Sequence, residues 1–138
     1  MIRDRCNLFL FLRKLRISLN SINKFIARAP VVFIDGFFYV IGGYSDINRY
    51  DKTIGRLDAT TMVWSKSGDL VNGRSSHNVI YDDSSLIIVG GYKYPYKTEK
   101  CVISNDQVSC VSQNPDLDYY RYYPELFLVP VDFCKTLP

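Results

Sequence analysis

From Ala29 onward the chain alternates short apolar runs with clusters of Gly, Asp, Asn and Ser, the texture of strands joined by tight turns. Val31–Ile34 is one run and residues 37–41 are the next, with Asp35-Gly36 between them. Asp-Gly between two apolar runs predicts a β-hairpin, because both central residues of a type I′ turn need positive φ. The runs at residues 79–81 and 86–89, separated by a turn around residues 82–84, repeat the arrangement. Residues 1–28 do not share this pattern. Their apolar run, Leu8 to Leu12, is flanked by Arg3 and Arg5 on one side and by Arg13, Lys14 and Arg16 on the other. It is too short for a secretory signal and far short of the ~20 apolar residues a membrane span needs.

A shift of 48 residues superposes the second half of this pattern on the first without a gap. Val31 falls on Val79, Asp35 on Asp83, and Gly42-Gly43-Tyr44 on Gly90-Gly91-Tyr92. A period near 50 residues with about four strands in each copy marks propeller blades rather than helical solenoids. Four apolar residues before each double glycine (Phe38, Tyr39, Val40, Ile41, then Leu86, Ile87, Ile88, Val89) resemble the kelch repeat. So does Trp64, although the aromatic partner expected about six positions ahead of it is replaced by Leu57, and the second repeat has no Trp. Arg74-Ser75-Ser76-His77 is similar to the family's lead-in to the innermost strand of a blade. The resemblance covers residues 29 to 112 and implies an all-β fold, a kelch-type β-propeller fragment of about two four-stranded antiparallel blades. The organisation expected is a basic extension over 1–28, blades over 29–70 and 71–112, and a C-terminal Tyr-rich segment with an extra strand over 113–138.

Gly42, Gly43, Gly90 and Gly91 are expected to turn the chain where it needs positive φ and close backbone approach, with Trp64 packed between blades. His77 is the only histidine in the chain and is read as structural, because a catalytic or metal role needs convergent partners. Of four cysteines, Cys6 lies in the basic arm and Cys134 near the C-terminus, while Cys101 and Cys110 flank a candidate hairpin turn at Asn105-Asp106. Counting outward from that turn puts Cys101 opposite Cys110 at a non-hydrogen-bonded pair, where Cα atoms approach to about 4.5 Å. The pair is either a disulfide or two reduced, small apolar side chains. A disulfide leans towards an oxidising, extracellular setting. With no convincing signal peptide and no Asn-x-Ser/Thr acceptor, the cytoplasm stands as the alternative. The Cys hairpin followed by residues 119–123 and 124–129 also resembles the ends of invertebrate kelch-containing proteins.

The net charge of +3 is uneven: residues 1–28 carry +6 and the remaining 110 sum to −3. The basic pI therefore comes from the arm, and the folded part is not expected to bind nucleic acid. The arm reads as an irregular or helical extension, a degenerate targeting segment, or an artefact of an upstream reading frame. Tyr92, Tyr94 and Tyr96, with Tyr119, Tyr120, Tyr122 and Tyr123, cluster in loop-like segments. Such clusters either mark a binding face, since Tyr offers large contact area at low entropy cost, or cover strand edges. The kelch resemblance implies a non-catalytic module that binds a protein partner, with a substrate adaptor of a ubiquitin-ligase type as the alternative. No cofactor is expected. The histidine count excludes the copper oxidases among kelch-like propellers. A paired-carboxylate glycosidase has candidate residues in Asp46, Asp51, Asp58 and Asp118, with nothing to position two of them together. Two blades leave open sheet edges, which predicts self-association.

Overall fold

A computed structural model describes residues 26–93 and 97–113. All regular structure in this part is β: β1 (Ile26–Ala27), β2 (Val31–Ile34), β3 (Phe37–Ser45), β4 (Arg49–Asp58), β5 (Trp64–Asp69), β6 (Asn78–Asp82), β7 (Ser85–Val89), β8 (Thr98–Ser104) and β9 (Gln107–Gln113). Strands β2 to β5 form one antiparallel meander and β6 to β9 a second. The chain is thus a propeller-like fragment of two four-stranded units.

Each unit opens on the hairpin the sequence predicts. Ile34 pairs with Phe37 around Asp35 (φ 49°) and Gly36 (φ 85°), and Asp82 pairs with Ser85 around Asp83 (φ 43°) and Ser84 (φ 62°). The β8–β9 hairpin turns on Asn105 (φ 48°) and Asp106 (φ 65°), and Cys101 lies opposite Cys110 as counted. All three turns put positive φ on short polar side chains or Gly, the residues that tolerate it best.

The core lies between the units. In β3, Phe37, Tyr39 and Ile41 face the second unit, and Ile54 and Leu70 join them. Leu86, Ile88, Cys101 and Val108 face them from the other side. Alternation along the strand turns Phe38 and Val40 the opposite way. Leu57 and Trp64 follow, because Phe38 pairs with Leu57 and Leu57 with Trp64.

The two units are not separate sheets. β5 and β9 pair in parallel over Gly68↔Val108 and Asp69↔Ser109, which joins both meanders into one curled half-barrel. The join requires glycine: a Cβ on Gly68 would overlap the Val108 carbonyl. The Ser67 hydroxyl reinforces it by donating to the Asp106 carbonyl at 2.8 Å.

The first repeat also begins earlier than position 29. Ile26 and Ala27 pair with Ser45 and Tyr44, and 48 residues on the isolated bridge Ser75↔Tyr92 reproduces Ala27↔Tyr44. Arg28 and Ser76 occupy equivalent places and share φ 56°. Residues 26–28 are therefore the lead-in of the first blade, the counterpart of 74–76. Residues 1–25, and the extra strand and Tyr-rich segment expected after residue 113, lie outside the described residues. Among those described, no helix is long and apolar enough to cross a membrane.

Candidate protein-binding surface at the double-glycine end

The four glycines stand where β3 and β7 leave the core, all with positive φ: Gly42 59°, Gly43 109°, Gly90 72° and Gly91 103°. Close approach adds to the conformational demand. A Cβ on Gly43 would sit 2.6 Å from Ile26 Cγ2 and 2.8 Å from Ala29 Cβ. On Gly91 it would sit 2.8 Å from both His77 Cβ and the Ser75 carbonyl oxygen. In both repeats the second glycine lets the lead-in segment cross directly over the end of the strand. Ala27 pairs with Tyr44 at the first crossing, and at the second the Tyr92 amide donates to the Ser75 carbonyl at 2.7 Å. The Gly43 amide donates instead to the Arg74 carbonyl of the next lead-in at 2.8 Å.

Beyond the glycines the side chains turn outward as an aromatic patch. Tyr50 stacks on Tyr92 with ring centroids 5.3 Å apart and meets Tyr44 edge-on at 6.0 Å. Lys93 Nζ lies 5.6 Å above the Tyr50 ring. Tyr44 and Tyr92 are exposed repeat equivalents, and Ile47 at the tip of the β3–β4 loop is 68% exposed. Burial, followed by the neighbouring Tyr92 ring and its hydrogen bond, raises the Tyr50 phenol above its ordinary pKa. The patch is aromatic surface with Arg49 and Lys93 at its margin. Of the tyrosines singled out from sequence, Tyr92 is in it, and Tyr94 and Tyr96 lie outside the described residues. Tyr44 and Tyr50 went unnoticed as candidates, although Tyr44 follows its glycine pair as Tyr92 does.

Behind the patch sits a buried ion pair. Arg74 Nη2 is 2.7 Å from Glu99 Oε1, both side chains fully buried. Arg74 also donates to the carbonyls of Gly90, Lys97 and Asn72. Glu99 accepts the Val71 and Asn72 amides at 2.8 and 3.0 Å. This network ties the segment between the blades to β8. Glu99 escaped the sequence reading, but it shares the inward phase of β8 with Cys101, and a charge in that phase signals a partner. His77 is buried beside the network with both ring nitrogens unpartnered among the described residues. Burial, and secondarily the Arg74 charge, lowers its pKa to about 3.

The other expected residues separate. Cys101 and Cys110 have Sγ atoms 2.08 Å apart and Cα atoms 4.0 Å apart, at disulfide distance. Trp64 does not lie between these two blades: it is on the face turned away from the second, half-buried, with its ring 3.5 Å from the place a Gly55 Cβ would occupy. Of the candidate carboxylates, Asp51 is buried and accepts the Thr53 amide, and Asp58 accepts the Thr60 and Thr61 amides. Those amides, Thr61 first, hold the Asp58 carboxyl below its ordinary pKa. Seven positions of β4 separate the two, about 23 Å at the strand rise, where glycosidase pairs need about 5–9.5 Å. Asp46 is exposed in the β3–β4 loop, and Asp118 is outside the described residues. No protein-family model matches the chain, and no curated protein matches it either.

Proposed function

We propose that the chain is a non-catalytic protein-binding module, the kelch-like portion of a propeller, whose contact surface is the patch of Tyr44, Tyr50 and Tyr92. The observation that carries this reading is that both repeats deliver an exposed tyrosine to the same end of the sheet through the same glycine crossing. Rigid aromatic rings on a fixed scaffold give contact area at little entropic cost, and loops held by a scaffold are where binding residues concentrate. Ile47 adds an apolar contact, and Arg49 and Lys93 favour a partner with acidic flanks. The adaptor reading uses the same surface, with the partner as its substrate.

A photo-crosslinker at Ile47 is expected to trap partners that a crosslinker at Val102 does not, and Tyr44→Ala with Tyr92→Ala to abolish the trapping. Equal trapping from both positions would overturn the assignment. Exposed apolar groups on the outward faces, Phe33 and Val63 on one blade and Val102 and Val111 on the other, support self-association as well. A concentration-independent monomer in sedimentation would remove that part.

A further inference from the structure

We propose that the cleft between the two blades at the hairpin-turn end is a second binding site, which takes one lysine or arginine side chain from a basic peptide. It lies at the opposite end of β3 from the tyrosine patch and does not depend on it. The cleft holds about 230 Å³, lined by Ile34, Phe37, Tyr39 and Tyr81 with Asp35 and Asp106 among the polar groups. Ligand clefts for drug-sized molecules run about 300–1,000 Å³, so this one suits a single side chain.

Its chemistry selects a cation. The apolar and aromatic walls match the methylene stem of Lys or Arg, and carboxylates match the charged head. The molecule already recognises one guanidinium here: Arg56 lies 4.3 Å over the Phe37 ring and its Nη1 is 2.6 Å from Asp106 Oδ1. Arg56 thereby neutralises Asp106. Asp35 is exposed and has no counter-charge among the described residues, so the cleft carries one net negative charge. Tyr81 supplies a second aromatic ring, so an incoming cation meets the same pairing of aromatic and carboxylate that holds Arg56. The Tyr39 phenol, held protonated by burial, with Asp106 and Asp35 acting against Arg56, adds no charge.

The test titrates the full chain with capped Gly-Ser-X-Ser-Gly peptides carrying Arg, Lys or Gln at X, followed by amide chemical shifts. The Arg and Lys peptides are expected to bind and to shift Ile34, Tyr39 and Ile103, with the Gln peptide at least about tenfold weaker. Asp35→Asn retains a residue that tolerates positive φ, so the turn survives, and it is expected to weaken Arg-peptide binding about tenfold. Tyr81→Leu, which keeps an apolar wall, is expected to weaken it several-fold. Equal binding of the Gln peptide, no effect of Asp35→Asn, or no binding by any peptide would each overturn the site. Loss of binding on Tyr92→Ala with none on Asp35→Asn would also overturn it and move the contact to the tyrosine patch.

Discussion

At the residue scale the second glycine of each pair does two things at once, adopting positive φ and admitting a crossing segment. Gly36 does only the first: its φ is 85° and a Cβ there would meet nothing within 4 Å. Gly43→Ala is therefore expected to cost about 2 kcal/mol or more, from backbone strain plus collision with Ile26, and Gly36→Asn less than about 1 kcal/mol. Urea midpoints of the two variants check the difference. His77 gives a pH signature. Its folded pKa of about 3 lies below the ordinary 6.5, so between those values the unfolded chain binds the extra proton. Stability is whole above about pH 6.5 and falls as pH drops towards 3, by about 1.4 kcal/mol per unit. At pH 4.5 the loss is expected to be about 2–3 kcal/mol, and His77→Phe should remove that share of the acid sensitivity. An unchanged slope in the variant would contradict the buried, neutral imidazole.

At the element scale the two blades solve one packing problem differently. Phe38 pairs with Leu57, which pairs with Trp64; the counterpart of Phe38, Leu86, pairs with Cys101, which pairs with Cys110. The cysteine pair thus occupies the place of the Leu57/Trp64 pair. Likewise Arg74 and Glu99 stand where the first repeat has Ile26 and Gly55, so an ion pair replaces an apolar residue and a glycine together. Cys101→Ser is expected to cost about 2–3 kcal/mol for a closure of this length. Cys101→Leu with Cys110→Trp, which transplants the first blade's pair, should recover part of it; thermal unfolding of the three proteins reads both. These elements show what the sequence exposes. Turns written in Asp-Gly and Asn-Asp, and the register they impose, were legible because they are local. Glu99 and the crossing of Arg28 by the second lead-in were not, since they depend on a partner some tens of residues away. The face that carries Trp64 was not legible for the same reason: its spacing reveals a face of the sheet, but which face meets the second blade is decided by stacking.

At the scale of the whole molecule, the join between β5 and β9 distinguishes this half-barrel from two independent blades. It spans only two residue pairs and rests on Gly68. Gly68→Val is expected to open it, speeding amide exchange around Val108 and Ser109 about tenfold or more, while Leu86 and Ile88 in the core keep their protection. Unchanged exchange would mean that the units are held by their facing cores alone.

The crossing of lead-in over glycine also acts as a ruler. Ala27 to Gly43 and Ser75 to Gly91 are the same distance along the chain, and the Ser76 amide donates to the Arg28 carbonyl at 2.9 Å, setting one ruler against the next. Growth of the chain is consequently displaced outward: from Phe38 to Leu57 the path is four residues longer than from Leu86 to Cys101. Extra residues grafted beside Ile47 are expected to leave the melting temperature nearly unchanged, whereas a single residue inserted between Ser76 and Gly90 should abolish cooperative unfolding. The inner span is where this chain resists a change of length, and the β3–β4 loop beside the tyrosine patch is where length can be added at least cost.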